Sequence, residues 1–265
     1  DQATHSDFYR QAYLLALKEV ERILGAPAEN NKTWNACGVL QLAYSAKEEV
    51  RQQRFIERHQ PPAEFVASDS EKKGLVFPAA GWVSPADFCK ALVNHSNIQF
   101  ITAKITNISG DQNALTITTD SGALKSCAIV IATAHHANEL AGEHSYLPTK
   151  KIRGQLTYLN ADALPTADTV LCAHSYMAPP LNGRLVLGAT YNLKDEEAEL
   201  RDSDHQTNLS HLCDFGAEWE TAANSAEIIG GRVGFRCTTP DSLPMAGPLV
   251  VKDEFVKRFR PMTKN

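Results

Sequence analysis

No stretch of this sequence approaches the roughly 20 consecutive apolar residues that a membrane-spanning helix needs, so a membrane protein is not expected. The start, DQATHSDFYRQ, lacks the basic segment followed by an apolar one that marks an export signal. The chain reads as cytoplasmic. Metal-ligand spacings are missing too: Cys37, Cys89, Cys127, Cys172, Cys213 and Cys237 include no CxxC pair and no short His/Cys cluster. Scattered thiols inside apolar runs read as reduced core cysteines, without disulfides or zinc. Basic charge is also in short supply. Lys and Arg number 26 against 31 Asp and Glu, a formal net charge of −5, whereas a free-standing nucleic-acid binder usually carries a basic excess. Repeats, low-complexity tracts, a Ser/His/Asp arrangement and paired carboxylates are all absent.

What is present is an ordinary globular composition, 43% apolar and 22% charged, which excludes general disorder. At 265 residues, one or two units sharing a core are expected. Residues 7–24 place Tyr9, Tyr13, Leu17, Val20 and Leu24 at helical spacing, with Asp7 as N-cap and Gly25 at the end. WNACGVLQLAYS reads as a strand with a sharp glycine, and the segment from Ser45 to Gln60 as a charged surface helix. GLVFPAAGWVSPADFCKALV predicts a strand or turn, then a helix from about Ser84 with Pro85 at its first position. Antiparallel strands follow in IQFITAKITNIS and ALTITTD. CAIVIATAHHANEL is a continuous apolar run, as in strands buried on both faces, that breaks into small residues before a short helix. RGQLTYLN, TVLCAHSYMAPP and GRLVLGATYN are further strands, the last two joined by the turn LNGR. A helix in DSDHQTNLSHLCDF then precedes the strand of RVGFRCTTPDSLPMAGPL.

Five stretches carry a resemblance when taken in order: 74–93, IVIATAHHANEL, RGQLTYL, SYMAPPLNGRLVLGATYN and RVGFRCTTPDSLPMAGP. Together they resemble the D-amino-acid-oxidase-like flavoenzymes. Within that group they are most similar to the C-terminal oxidase half of the bifunctional enzymes of tRNA 5-methylaminomethyl-2-thiouridine biosynthesis. The narrower likeness rests on VGFRCTTPDSLPMAG, on the paired histidines, and on the insertion NLKDEEAELRDSDHQTNL. It implies a mixed α/β fold, a partial FAD-binding Rossmann-like domain plus an antiparallel β-sheet substrate domain. Residues 1–33 and 74–150 are expected on the flavin side, 34–73 and 151–250 on the substrate side, and 251–265 as a tail. Such enzymes hold the FAD pyrophosphate with a GxGxxG loop at a helix N-terminus, and this sequence has none. The expectation is therefore a segment of a longer flavoenzyme with weak or no FAD binding, inactive alone and prone to self-association through exposed apolar edges.

The resemblance also implies roles. Arg236, between Phe235 and Cys237, matches the arginine that grips the substrate carboxylate, for which a guanidinium offers a rigid bidentate fork. Read alone, it is equally an arginine paired with a local acid such as Asp241. Tyr176 matches a tyrosine lining the same pocket, or else is a core aromatic. Ala132, Thr133, Ala134, Gly154, Gln155 and Gly247 fall at cofactor-binding positions, with Arg153 beside them where the family crosses from flavin domain to substrate sheet. Ala134 departs from the family pattern, which has glycine there. His135 and His136 lack a third ligand for a metal and read as structural or close to the cofactor. The implied reaction is oxidative removal of a carboxymethyl group from a wobble uridine on tRNA, in a protein that also carries a methyltransferase domain. A glycine- or sarcosine-type oxidase and a non-catalytic binding module remain as alternatives.

Overall fold

A computed structural model of the chain describes residues 2–26, 32–111, 114–142, 147–162, 164–249 and 252–259. Two compact units divide it: Asp1–Gln99, Gln155–Thr190 and Glu199–Val233 form the first, and Phe100–Gly154, Tyr191–Ala198 and Gly234–Asn265 the second. The class is the mixed α/β one expected.

Helix α1 (Gln2–Leu24) half-buries Tyr13, Leu17, Val20, Ile23 and Leu24, the stripe its spacing predicts. It begins at Gln2, so Asp7 lies inside the helix rather than at its cap. Gly25 ends it in the left-handed region and accepts the Trp34 indole N–H at 3.0 Å. β1 (Trp34–Asn35) and β2 (Val39–Leu42) follow, and then α2 (Ala46–His59), where Ser45 Oγ accepts the Glu48 N–H. After β3 (Ala67–Asp69), β4 (Gly74–Phe77) and β5 (Trp82–Val83), α3 (Pro85–Val93) starts where Ser84 and Pro85 place it.

In the second unit, β6 (Ile105–Asp111), β7 (Ala114–Thr119) and β8 (Gly122–Ser126) form an antiparallel three-stranded sheet. The apolar run after it departs from expectation. Residues 127–133 form no strand, and Val130 is 90% exposed. A doubly buried strand needs a neighbour on each edge and cover on each face, and the described residues supply neither here. The run ends in a 3₁₀ turn, Ala134–His136, and in α4 (Ala137–Ala141).

The long β9 (Lys150–Asn160) starts in the second unit and finishes in the first. Within the first, β10 (Val170–Cys172), β11 (Tyr176–Met177) and β12 (Arg184–Gly188) extend the sheet in the order β9-β12-β11-β10-β2-β4-β3. Only β10 and β2 pair in parallel among these. The LNGR turn forms as read, with positive φ at Asn182 and Gly183 and reciprocal backbone bonds between Leu181 and Arg184. β13 (Asn192–Leu193) pairs the start of β9. The helices α5 (Asp202–Ser210) and α6 (Ala217–Ala223) cover the first unit's core: Leu159, Met177, Leu185, Leu187 and Leu212 are fully buried there beside Trp219.

β14 (Ile228–Thr238) pairs β9 and returns to the second unit, and α7 (Lys252–Phe259) closes the described chain. At Gly231 a β-carbon would stand 2.6 Å from the Leu156 carbonyl oxygen, so only glycine allows that approach. The cysteines correct the reading of core thiols. All six are free; Cys89, Cys127, Cys213 and Cys237 are exposed and the other two half-buried. Position within an apolar run did not translate into burial because these runs lie at sheet ends and helix flanks.

Candidate active site

β14 delivers Arg236 to the second unit, where the residue is half-buried and its guanidinium carbon lies 5.6 Å from the centre of the Tyr191 ring. The ring face suits a weakly hydrated planar cation. The preceding residue, Phe235, receives the Lys151 ammonium at 4.1 Å and the His135 ring edge-on at 5.9 Å. Successive strand residues face opposite ways, so Arg236 meets Tyr191 on one face of β14 while Phe235 gathers Lys151 and the 134–136 turn on the other. Beside it lies a cavity of about 260 Å³ lined by His135, His136, Asn138, Glu139, Lys151 and Glu196.

That turn is well braced. Asn138 donates to the Leu147 carbonyl at 2.9 Å and accepts the Leu147 N–H at 2.7 Å, tying α4 to the chain before β9. His136 Nδ1 meets Glu139 at 2.8 Å in the open. His135 is different: its Nδ1 is buried without a hydrogen-bond partner. Burial holds its imidazole below the ordinary value, reinforced by His136 and Lys151 nearby. It is therefore neutral at physiological pH, and a polar atom remains to be satisfied.

Ala134 adopts a φ of +49°, in the left-handed region where a β-carbon is crowded. Replacing it with glycine relieves about 1 kcal/mol of backbone strain but adds freedom to the unfolded chain. Ala134→Gly is therefore expected to raise stability slightly, by about 0.5 kcal/mol, measured by denaturant titration. A loss of stability instead would show that the alanine is unstrained.

The remaining positions read from the sequence are distributed over both units. Ala132 and Thr133 are exposed beside Val130, Gly154 is buried within β9, and Gly247 lies in an exposed loop with open space around its Cα. An exposed run of small residues ending in an orphaned buried nitrogen fits an extended, partly apolar group such as a flavin nucleotide. Tyr176, in the first unit, is 42% exposed on β11 opposite Gly188, so it is a surface rather than a core aromatic. Gln155 is fully buried in that unit. Its carboxamide donates to the Arg201 carbonyl at 2.8 Å and accepts the Arg201 N–H at 2.9 Å. Asn208 donates to both the Gln155 carbonyl and Thr157 Oγ1 at 2.9 Å, and Thr157 in turn meets His205 Nδ1 at 2.9 Å. Arg153, also fully buried, donates from Nε to the Glu197 carbonyl at 2.6 Å in the second unit.

Lys151, Tyr191 and Glu196 were not singled out from the sequence. A usable signal existed for Lys151, which shares a strand face with Arg153 by the two-residue period. Tyr191 carries none, because its place beside Arg236 depends on the path of a distant loop.

Comparison with known proteins gives a consistent picture. The family described as FAD dependent oxidoreductase (DAO) matches residues 2–257. The tRNA 5-methylaminomethyl-2-thiouridine biosynthesis bifunctional protein MnmC of Chromobacterium violaceum is 32% identical over 250 residues, covering 88% of this chain and 38% of that protein. Its counterpart from Hahella chejuensis is 33% identical over 263 residues, 91% of this chain and 42% of the relative. The chain thus spans about two fifths of the curated relatives' length. Among solved structures, glycine oxidase from Geobacillus kaustophilus superimposes with a TM-score of 0.70 at 21% identity, covering 90% of this chain and 68% of the other. L-proline dehydrogenase from P. horikoshii gives 0.67 at 15% identity, over 92% and 70%. These structural likenesses concern the fold. No helix among the described residues is long and apolar enough to cross a membrane.

Proposed function

The chain belongs to the DAO family of FAD-dependent oxidoreductases, and from that membership we propose that it removes the carboxymethyl group from 5-carboxymethylaminomethyl(-2-thio)uridine at the tRNA wobble position. The observation that carries this reading is the 32–33% identity, over about nine tenths of the chain, with proteins named for that branch of tRNA modification. Their description as bifunctional supports a linked methyltransferase domain in the whole protein.

Arg236 binds the substrate carboxylate through its fork, and the Tyr191 ring beside it limits where the guanidinium can lie. Tyr176 is a further substrate-binding residue in this reading, with a hydroxyl able to donate to an oxygen acceptor. Neutral His135 places no positive charge of its own beside the substrate amine, which reacts as the free base, and its unpaired Nδ1 is available to a group bound alongside. Ala132, Thr133, Ala134, Gly154 and Gly247 form the cofactor-facing surface. Gln155 contributes by fixing the backbone next to Gly154. Residues 1–33 and 74–150 serve the flavin side, and 34–73 and 151–250 the substrate side.

FAD, when bound, supplies a two-electron acceptor. The substrate's secondary amine loses a hydride from the methylene next to its carboxylate and a proton from nitrogen, leaving an imine. Water adds to the imine carbon, the C–N bond breaks, and glyoxylate departs from an aminomethyl uridine. No protein base is required, because the amine lone pair assists hydride departure. The test is incubation of the whole protein with tRNA bearing the carboxymethylaminomethyl group. One glyoxylate per modified tRNA is expected, and turnover of free glycine without tRNA would replace this reading with the amino-acid-oxidase one.

A further inference from the structure

Helix α2 carries a feature that the acidic composition does not predict. Lys47, Arg51, Arg54 and Arg58 recur at spacings of four, three and four. At 3.6 residues per turn they fall within about 60° of arc and run about 16 Å along the axis. All four are exposed. The acids of the helix flank it: Glu48, buried, and Glu57 lie about 60° to either side of the stripe, and Glu49 is on the far face. Arg51 touches Glu48 at 3.2 Å, but its side chain stays 74% exposed, so its charge remains presented to solvent. In a chain of net charge −5, four cations aligned on one helix face are a local concentration, not a sample of the whole.

At the N-terminal end of this stripe, directly before the cap Ser45, stands Tyr44. Its ring lies 3.8 Å from that of His174, which stacks on His211 at 5.3 Å, all within the first unit. Asp214 holds His174 by Nδ1 at 2.9 Å, and Ser175 Oγ meets His211 Nδ1 at 2.9 Å. The two imidazoles are thereby fixed in orientation, while Tyr44 stays half-exposed and His174 exposed. A cationic track leading to a braced stack of flat rings is the arrangement that binds unpaired nucleotides, phosphates on the track and a base on the rings.

We propose that the outer face of α2 and the Tyr44–His174–His211 stack form the RNA-binding surface of this protein, engaging the phosphate backbone of a single-stranded loop and stacking one unpaired base. The inference rests on the tRNA reading above and adds the place where the RNA lies.

The test titrates the full chain against a fluorescently labelled, unmodified anticodon stem-loop RNA over a salt series, with circular dichroism confirming that each variant is folded. Single-stranded contacts give a slope of log K on log salt of about −0.7 per phosphate. The variant Lys47→Gln/Arg51→Gln/Arg54→Gln/Arg58→Gln is expected to bind at least tenfold more weakly, with a slope shallower by about 3. Lys72→Gln/Lys125→Gln, off the stripe, binds as the parent does. Tyr44→Ala weakens binding about tenfold at unchanged slope, and Tyr44→Phe restores it. A folded quadruple variant with the parent's affinity and slope overturns the proposal, as does absence of RNA binding by the parent at low salt. Glyoxylate release from tRNA reports the reaction separately. Turnover that survives the quadruple substitution removes the surface and leaves the reaction, whereas RNA binding by α2 with turnover on free glycine alone leaves the surface and removes the reaction.

Discussion

Arg236→Met in the whole oxidase is expected to raise the KM for the carboxylate-bearing substrate by a factor of about thirty to several thousand. That range corresponds to about 2 to 5 kcal/mol, the loss on truncating one member of a desolvated, hydrogen-bonded charge pair. Arg236→Lys recovers part of it, because an ammonium keeps the charge and forfeits the fork. Substrates lacking the carboxylate should be insensitive to the change. The same substitution probes the structural alternative. Loss of the contact with the Tyr191 ring alone accounts for about 0.5 to 1 kcal/mol. A much larger fall in stability, with KM unmoved, would assign Arg236 to the scaffold.

Trp219→Ala is expected to destabilise the first unit by about 3 to 5 kcal/mol. Trp219 is 2% exposed and packs in the cluster with Leu185, Leu187, Leu209 and Leu212. Removing the indole leaves a void that α6 cannot fill, because the helix is anchored by Gly216, whose carbonyl takes the Trp219 N–H at 3.1 Å. Urea unfolding should show a lower midpoint at an unchanged slope. A change below about 1 kcal/mol would mean that the site collapses freely. Trp219→Phe, which retains a ring, should lose distinctly less.

Local signals made much of the fold readable. Ser45 and the Ser84–Pro85 pair start α2 and α3 because a side-chain oxygen and a preset φ act within one turn. Asn182–Gly183 closes its hairpin for the same reason, two residues that tolerate positive φ. Where the outcome depends on distant chain, local reading failed. Residues 127–133 have the composition of a buried strand but no neighbours among the described residues, and composition cannot report an absent neighbour. Arg236 was recognisable on its strand, yet its companion Tyr191, like Lys151 beside Phe235, comes from a segment whose convergence only the fold reveals. Gln155 drew attention as a cofactor contact by its position next to Gly154. In the structure its carboxamide faces the backbone that begins α5.

That last pairing has a consequence for how the segment may drift. A primary amide is complementary to a peptide group, donating where the peptide accepts and accepting where it donates, so Gln155 recognises residue 201 without regard to its side chain. Most amino acids can replace Arg201 without disturbing the bracket, and proline, which has no N–H to offer, is the one whose chemistry it refuses. The loop before α5 can accordingly diversify while the helix keeps its starting point on the sheet.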